Sequence, residues 1–222
     1  MDREQFFGVI RPLFGGKMTA KQVAGCEALL DEWYLTNRAK EHKDDRLLAY
    51  MMATAFHETD RTMQPIREYG RGRGRKYGAK DPTTGQVYYG RGYVQLTWKS
   101  NYERVKAEYG ADFVSTPDLA LDPIWAAKIL FDGCIAGWFV PGKPLSRYIN
   151  LEWCDYVNAR RVVNGTDKAD TIAVYAEAFE EALNAANALP SPMPPDYEPP
   201  DPKPAEPAWL AFLKALLAMF RK

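Results

Sequence analysis

Two glutamates ten positions apart, Glu58 and Glu68, are the residues of this chain whose type and spacing best suit acid and base chemistry. Glu58 follows Met51 by seven positions, close to two helical turns, so its carboxyl leaves the helix on the same face as an apolar stripe. A carboxyl at the edge of a core is partly desolvated, which favours its neutral form and suits a general acid. The plainer alternative is a helix-end glutamate that pairs with Arg61. Glu68 stands beside Arg67, where a helix has ended and a Gly/Arg loop begins, so the chain can turn back over a cleft. Two carboxylates across a cleft meet the needs of glycosidic bond hydrolysis: one protonates the leaving oxygen, the other attacks the sugar or activates water, and their separation decides which. A solvated loop charge is the competing account of Glu68.

The elements that must position these groups read as mainly helical. Thr19, followed three residues later by Gln22, has the form of a capping box, and Val23, Cys26, Leu29, Leu30, Trp33 and Tyr34 recur at helical spacing, so a helix is expected over 19–37. A second begins near Asp44 or Asp45, with Leu47, Leu48, Met51, Met52 and Ala55 as its buried stripe, and runs into His57-Glu58-Thr59. Over 69–92 the composition shifts to Gly, Arg, Lys and Tyr, with turn signals at Asp81-Pro82 and Thr84-Gly85, which predicts a loop or irregular β-hairpin. Helix is expected again over 101–109, from Asp122-Pro123 through Trp138, in a stretch that Gly165 ends after Val163, and over roughly 170–188. Prolines among Asp and Glu predict an extended spacer over 189–207, and 208–222 return to a helical pattern. The expected organisation is a helical domain over 1–188, a proline-rich linker over 189–207 and an amphipathic C-terminal helix over 208–222.

Composition narrows the function classes. Lys and Arg number 29 and Asp and Glu also 29, so no global pull towards nucleic acid or an anionic surface exists, and no nucleic-acid partner is expected. Cys26, Cys134 and Cys154 are odd in number and lack paired short spacing, which argues against a disulfide framework and a zinc site and points to a reducing compartment. The polar start, Met1-Asp2-Arg3-Glu4-Gln5-Phe6-Phe7, lacks the apolar run of a signal peptide, so a cytoplasmic location is expected. Arg71, Arg73, Arg75 and Lys76 form a local basic strip open to three readings: nucleic-acid contact, attraction to an anionic cell wall, or solvated loop charge. Tyr88, Tyr89, Tyr93 and Trp98 offer stacking faces for sugars, although at least half of them are expected in the core. His57 points about 100° away from Glu58 on a helix and is expected to hydrogen-bond a loop carbonyl.

Ala55-Phe56-His57-Glu58-Thr59, together with the stretch Tyr88-Tyr89-Gly90-Arg91-Gly92-Tyr93-Val94-Gln95-Leu96-Thr97-Trp98-Lys99-Ser100-Asn101-Tyr102, resembles the signature of family 19 glycoside hydrolases, the chitinases and related phage endolysins. In that family a His-Glu-Thr triplet ends a helix, a second Glu follows, and Tyr-Gly-Arg-Gly leads into Gln-Leu-Ser/Thr-Trp and Asn-Tyr. Arg160-Arg161-Val162-Val163-Asn164-Gly165 looks like the family's later Arg-x-x-Asn-Gly segment, which extends the likeness over about 45–185. The resemblance implies a lysozyme-like α-helical glycoside hydrolase fold that needs no metal or cofactor and inverts the anomeric carbon. Carried over position by position, it implies Glu58 as general acid, Glu68 as general base and Thr97 as the hydroxyl that holds the attacking water. Gln95, Asn101 and Asn164 match sugar-binding polar positions, and Tyr89 is a further candidate for substrate binding. The interval between Glu58 and Glu68 is short beside plant chitinases and compatible with the endolysin branch.

Chitin and peptidoglycan share β-1,4-linked N-acetylated amino sugars, so these residues alone do not choose between them. Context favours peptidoglycan: a chain without a signal peptide or disulfide framework fits a monomeric phage or prophage endolysin that waits in the host cytoplasm until the inner membrane opens. Apolar residues of 208–222 cover about 15 positions, short of the roughly 20 of a membrane span, and Lys214, Arg221 and Lys222 suit an interfacial helix on anionic lipid. Folding back on the domain or packing with another chain are the alternatives for that segment. The rival readings are a chitinase, a lytic transglycosylase, and a non-catalytic glycan-binding module with a membrane-active tail.

Overall fold

The structure, a computed structural model, describes residues 1–36 and 38–188; the spacer and terminal helix expected over 189–222 lie outside the described residues. Asp2 accepts a hydrogen bond from the Gln5 N–H and so starts α1 (Arg3–Ile10), whose Phe6 and Ile10 enter the core. Two buried positions in so short a helix carry no readable period, and the sequence pattern did not announce it. The expected capping box opens α2 (Ala20–Tyr34), with Thr19 Oγ1 accepting from the Gln22 N–H and Gln22 Oε1 from the Thr19 N–H. The helix stops at Tyr34, short of the expected 37, and a brief α3 (Arg38–His42) follows.

Asp44 caps α4 (Asp45–Glu58), the helix that delivers Glu58. Every residue from Leu47 to Phe56 is buried, so the expected stripe is in fact the whole circumference. A helix that is apolar all round must be packed on several sides, and α4 meets α2, α6 (Pro123–Ala136) and α8 (Ala169–Asn187). Phe56 alone makes edge contacts with Phe14, Tyr175 and Phe179.

Beyond α4 the backbone changes character. Asp60, Arg61 and Met63 all have positive φ, turning the chain into β1 (Ile66–Arg67), which pairs antiparallel with β2 (Arg91–Gly92). The intervening Gly/Arg segment is the expected irregular loop, containing a short 3-10 turn at Lys76–Gly78. Helix resumes in α5 (Lys99–Tyr109) and α6, the latter capped by Asp122 with Pro123 at its first position. α6 ends before Trp138 because Gly137 takes a left-handed φ of 69°, and a Cβ there would lie 2.7 Å from the Pro144 nitrogen. A two-stranded hairpin, β3 (Ile149–Asn150) and β4 (Trp153–Cys154), precedes α7 (Tyr156–Ala159). The helix expected to end after Val163 is instead α7 plus a tighter turn at Arg160–Val162. α8 closes the core against α1, α4 and α7, and the Asp2 N–H donates to the Ala186 carbonyl at 2.8 Å. Among the described residues the architecture is mainly helical around α4, with two small antiparallel strand pairs. No described helix is long and apolar enough to cross a membrane.

Candidate active site

Glu58 occupies the last residue of α4, and its side chain is 18% exposed, as expected for a carboxyl at the edge of the core. Its partner is Arg160, whose Nη1 lies 2.7 Å from Glu58 Oε1; Arg160 is buried, and its Nε donates to the Asp167 carbonyl. The carboxylate therefore sits in an ion pair with one oxygen oriented, rather than alone against apolar groups. Arg61, the partner suggested by local spacing, turns elsewhere: its Nη2 donates to the Tyr175 hydroxyl and its guanidinium lies 5.8 Å from the Phe56 ring centroid. Thr59 is buried and closes the helix end, donating to the Ala55 carbonyl and accepting from the Met63 N–H. His57 makes no hydrogen bond to a loop carbonyl among the described residues and lines a cavity instead. Burial, aided by Arg160 and Lys168 and opposed by Glu58 and Asp167, lowers its pKa from the ordinary 6.5.

Glu68 is held by other means. Its N–H donates to the Gly90 carbonyl at 2.7 Å, just past the β1–β2 pairing, and the Gly90 N–H returns a bond to Oε2 at 3.1 Å. The Tyr77 hydroxyl donates to Oε1 at 3.0 Å. Burial and then the contact with Glu68 raise the Tyr77 pKa, so its hydroxyl keeps the proton it donates. Tyr77 gets there because the loop closes on itself: Gly72 and Gly78 pack backbone to backbone, and a Cβ on Gly78 would lie 2.9 Å from the Gly72 Cα, with other atoms nearer still. The Tyr77 ring meets Trp98 edge-on at 5.4 Å, and Trp98 is 47% exposed. Trp98 has φ 70° and ψ 134°, a backbone conformation that costs a non-glycine residue about 1–3 kcal/mol. Three of the four aromatics singled out in the motif, Tyr88, Tyr89 and Tyr93, are buried, and Trp98 is the one left as a stacking surface.

The Tyr-Gly-Arg-Gly segment owes its shape to Arg91. This buried guanidinium lies 3.7 Å from the Tyr89 ring centroid, donates to the Val87 and Tyr89 carbonyls, and pairs with Asp118 at 2.7 Å. Asp118 also takes Arg67, tying β1, β2 and the turn at Pro117–Leu121 together. Burial works against the Asp118 charge, but the bonds from Arg67 and Arg91 outweigh it and hold its carboxyl below the ordinary range. Tyr89 therefore has one ring face taken by Arg91, and it borders a polar cavity of about 370 Å³ that neither Glu58 nor Glu68 lines.

The remaining expected residues divide between these two regions. Gln95 donates to the Ile66 and Gly92 carbonyls, and its Oε1 would lie 2.7 Å from a Cβ on Gly90, so it stands beside the peptide that holds Glu68. Thr97 is half-buried between Leu96, paired with Arg91, and Trp98, whose N–H donates to the Tyr88 carbonyl; its hydroxyl has no partner among the described residues. Asn101 spends its amide on the Thr97 carbonyl at 2.8 Å. Asn164 belongs to the other region: its N–H donates to the Arg160 carbonyl, and its exposed side chain accepts from the Gly165 N–H. Arg160 and Tyr77 are the two site residues that sequence spacing did not assign. Arg160 immediately precedes the Arg-x-x-Asn-Gly segment, which begins at Arg161 and was the nearest signal for it, whereas Tyr77 sits in a loop with none. Among the described residues no cluster of His, Cys, Asp or Glu is arranged to hold a metal ion.

Comparison with known proteins places this geometry. Residues 47–151, just under half of the chain, match the glycoside hydrolase family 19 model, chitinase class I. Over 62 residues the chain is 39% identical to an endochitinase of Brassica napus and 37% identical to one of Pisum sativum, each alignment covering 28% of this chain. The matched stretch spans 18% of the length of these curated relatives. In three dimensions the chain resembles chitinase C of Streptomyces griseus, with a TM-score of 0.58 at 18% identity over 83% of this chain and 76% of that one. A bacterial family 19 chitinase gives 0.50 at 18% identity over 85% and 96%. The fold is thus the lysozyme-like helical fold of the family 19 chitinases. Glu58, Glu68, Tyr89, Gln95, Thr97 and Asn101 fall inside the matched stretch, and Arg160 and Asn164 lie beyond it.

Proposed function

We propose that this chain is a glycoside hydrolase that cleaves β-1,4 bonds between N-acetylated amino sugars, with bacterial peptidoglycan as its substrate, as a phage or prophage endolysin does. The observation that carries the reading is the pair of oriented carboxylates within one family 19 stretch: Glu58 with one oxygen fixed by Arg160, Glu68 with both oxygens fixed by Tyr77 and Gly90. In the proposed reaction Glu58 gives a proton to the leaving glycosidic oxygen through the oxygen that Arg160 leaves free. Glu68 removes a proton from water, which attacks the anomeric carbon from the opposite face and inverts it. A carboxylate offers about four lone-pair directions, so the two bonds to Glu68 leave room for that water. The unpartnered Thr97 hydroxyl orients the same water, Gln95, Asn101 and Asn164 bind sugar polar groups, and Trp98 supplies a stacking face beside Glu68.

Two features support peptidoglycan. Arg71, Arg73, Arg75 and Lys76 are all exposed, which suits attraction to an anionic wall, and Cys26, Cys134 and Cys154 are free thiols, which suits a reducing compartment before release. Chitin is the second reading, favoured by the endochitinase names of the curated relatives. Mass spectrometry of the products from purified peptidoglycan and from chitin oligosaccharides tests both: new reducing ends from peptidoglycan are expected. Anhydro ends would replace hydrolysis by a transglycosylase reaction, and release from chitin alone would reassign the substrate.

A further inference from the structure

A cavity of about 280 Å³ opens beside the end of α4, lined by His57, Asp60, Arg61, Lys168, Thr171 and Tyr175. The two segments that form it also hold Glu58. His57 immediately precedes Glu58, and Lys168 follows Asp167, whose carbonyl accepts from the same Arg160 that pairs with Glu58. A group bound here therefore lies against the supports of the proposed general acid.

The lining has the chemistry of an anion site. Arg61 and Lys168 have no carboxylate within ion-pair distance among the described residues. Asp60, the single acid in the lining, already accepts from the Tyr69 hydroxyl at 3.3 Å. Thr171 and Tyr175, one turn apart on α8, add hydroxyl groups, and the Tyr175 oxygen is 3.2 Å from Arg61 Nη2. Three of the six lining residues take left-handed backbone, Asp60 at φ 51°, Arg61 at 63° and Lys168 at 59°. Glycine adopts that conformation at less cost, and strain of this kind persists where a site needs the side chain. Both unpaired cations are among the three.

We propose that this cavity binds a carboxylate on the peptide branch of the substrate glycan, so that the chain favours strands carrying acidic peptides over bare amino-sugar polymers. The inference rests on the peptidoglycan reading above. A guanidinium fork and an ammonium suit a carboxylate through charge-assisted hydrogen bonds, whereas an uncharged N-acetylglucosamine polymer offers these cations no counter-charge.

Binding can be measured apart from turnover on the Glu58→Gln protein, by calorimetry with two probes: a soluble peptidoglycan disaccharide carrying its stem peptide, and the same disaccharide stripped of peptide by an amidase, with the lactyl carboxyl this exposes capped as an amide. The stem-bearing probe is expected to bind about tenfold tighter at low salt, by an advantage that added salt reduces. That advantage should vanish when Arg61→Gln and Lys168→Gln are added together, and survive the charge-preserving pair Arg61→Lys and Lys168→Arg. Equal affinities for the two probes, no binding of either, or an undiminished advantage in the Gln pair would each overturn the proposal. In turnover, the ratio of kcat/KM on intact to peptide-stripped strands should fall about tenfold in the Gln pair on an otherwise wild-type chain; equal losses on both substrates would assign the two cations to support of the fold. Absence of reducing ends from either polymer with the wild type would remove the hydrolase reading, while calorimetry still decides the cavity.

Discussion

Glu58 closes a helix buried from Leu47 to Phe56 and packed on several sides, whereas Glu68 lies in a segment with two-residue strands and a loop shaped by close glycine contacts. In the first region position follows from apolar area: α4 cannot move without uncovering Leu48, Met51, Met52 and Phe56. In the second, position follows from a few directed contacts, chiefly Arg91 on Asp118, Tyr77 on Glu68 and the Gly90 peptide on both ends of Glu68. Change in the helical region should therefore register first as lost stability, and change in the loop region first as lost activity.

The largest expected effect tests the end of the helix. Glu58→Gln keeps the shape and still accepts from Arg160 but has no proton to transfer, so hydrolysis should fall by about 10²–10⁴ with an unchanged circular dichroism spectrum. Turnover near that of wild type would remove Glu58 from the chemistry. Glu68→Gln should cost about 10² in kcat, with azide restoring turnover to an inverted product; activity within a few-fold of wild type would place the base elsewhere.

The contrast itself is sharpened by a pair of variants measured for both melting temperature and kcat. Phe56→Ala should destabilise by about 3–5 kcal/mol, a large share of a domain's usual stability. Gly78→Ala should lower activity by about tenfold with little loss of melting temperature, because its Cβ pushes the Gly72 contact apart and withdraws Tyr77 from Glu68. The reverse pattern would mean that the loop is stabilised by packing after all. Thr97→Val should reduce kcat by about three- to tenfold and Thr97→Ser by less, since only the first removes the hydroxyl. If both behave as wild type, Thr97 is a packing residue.

The smallest effect lies with His57, whose folded pKa is depressed from 6.5 chiefly by burial. Its folded form binds a proton less readily than its unfolded form, so the stability it contributes is full above about pH 6.5 and is lost as pH falls through the depressed value. His57→Gln should flatten the acid-side fall in melting temperature by about a degree or two, and an unaltered pH profile would show that this histidine does not titrate against folding.

Much of the fold was readable because its signals act over a few residues. Thr19 with Gln22, Asp44, and Asp122 with Pro123 set helix starts through bonds to neighbouring N–H groups, and the apolar period of α2 follows from helical geometry. The spacing after Met51 likewise placed Glu58 at a helix end, and the shift to Gly and Arg placed Glu68 at the mouth of an irregular loop. The sequence did not disclose that α4 is buried on all sides, that α6 stops at a glycine wedged against Pro144, or that Glu58 takes Arg160 over the nearby Arg61. Arg160 and Glu58 are 102 positions apart and meet only because the turn after α7 is carried to the end of α4; Tyr77 reaches Glu68 only because two glycines let the loop fold on itself. Caps and periods are decided by local sterics and hydrogen bonding, so the chain by itself determined where α2, α4 and α6 begin and that Glu58 stands at a helix edge. Which cation meets which carboxylate depends on how those helices and loops pack, and that was decided only in three dimensions.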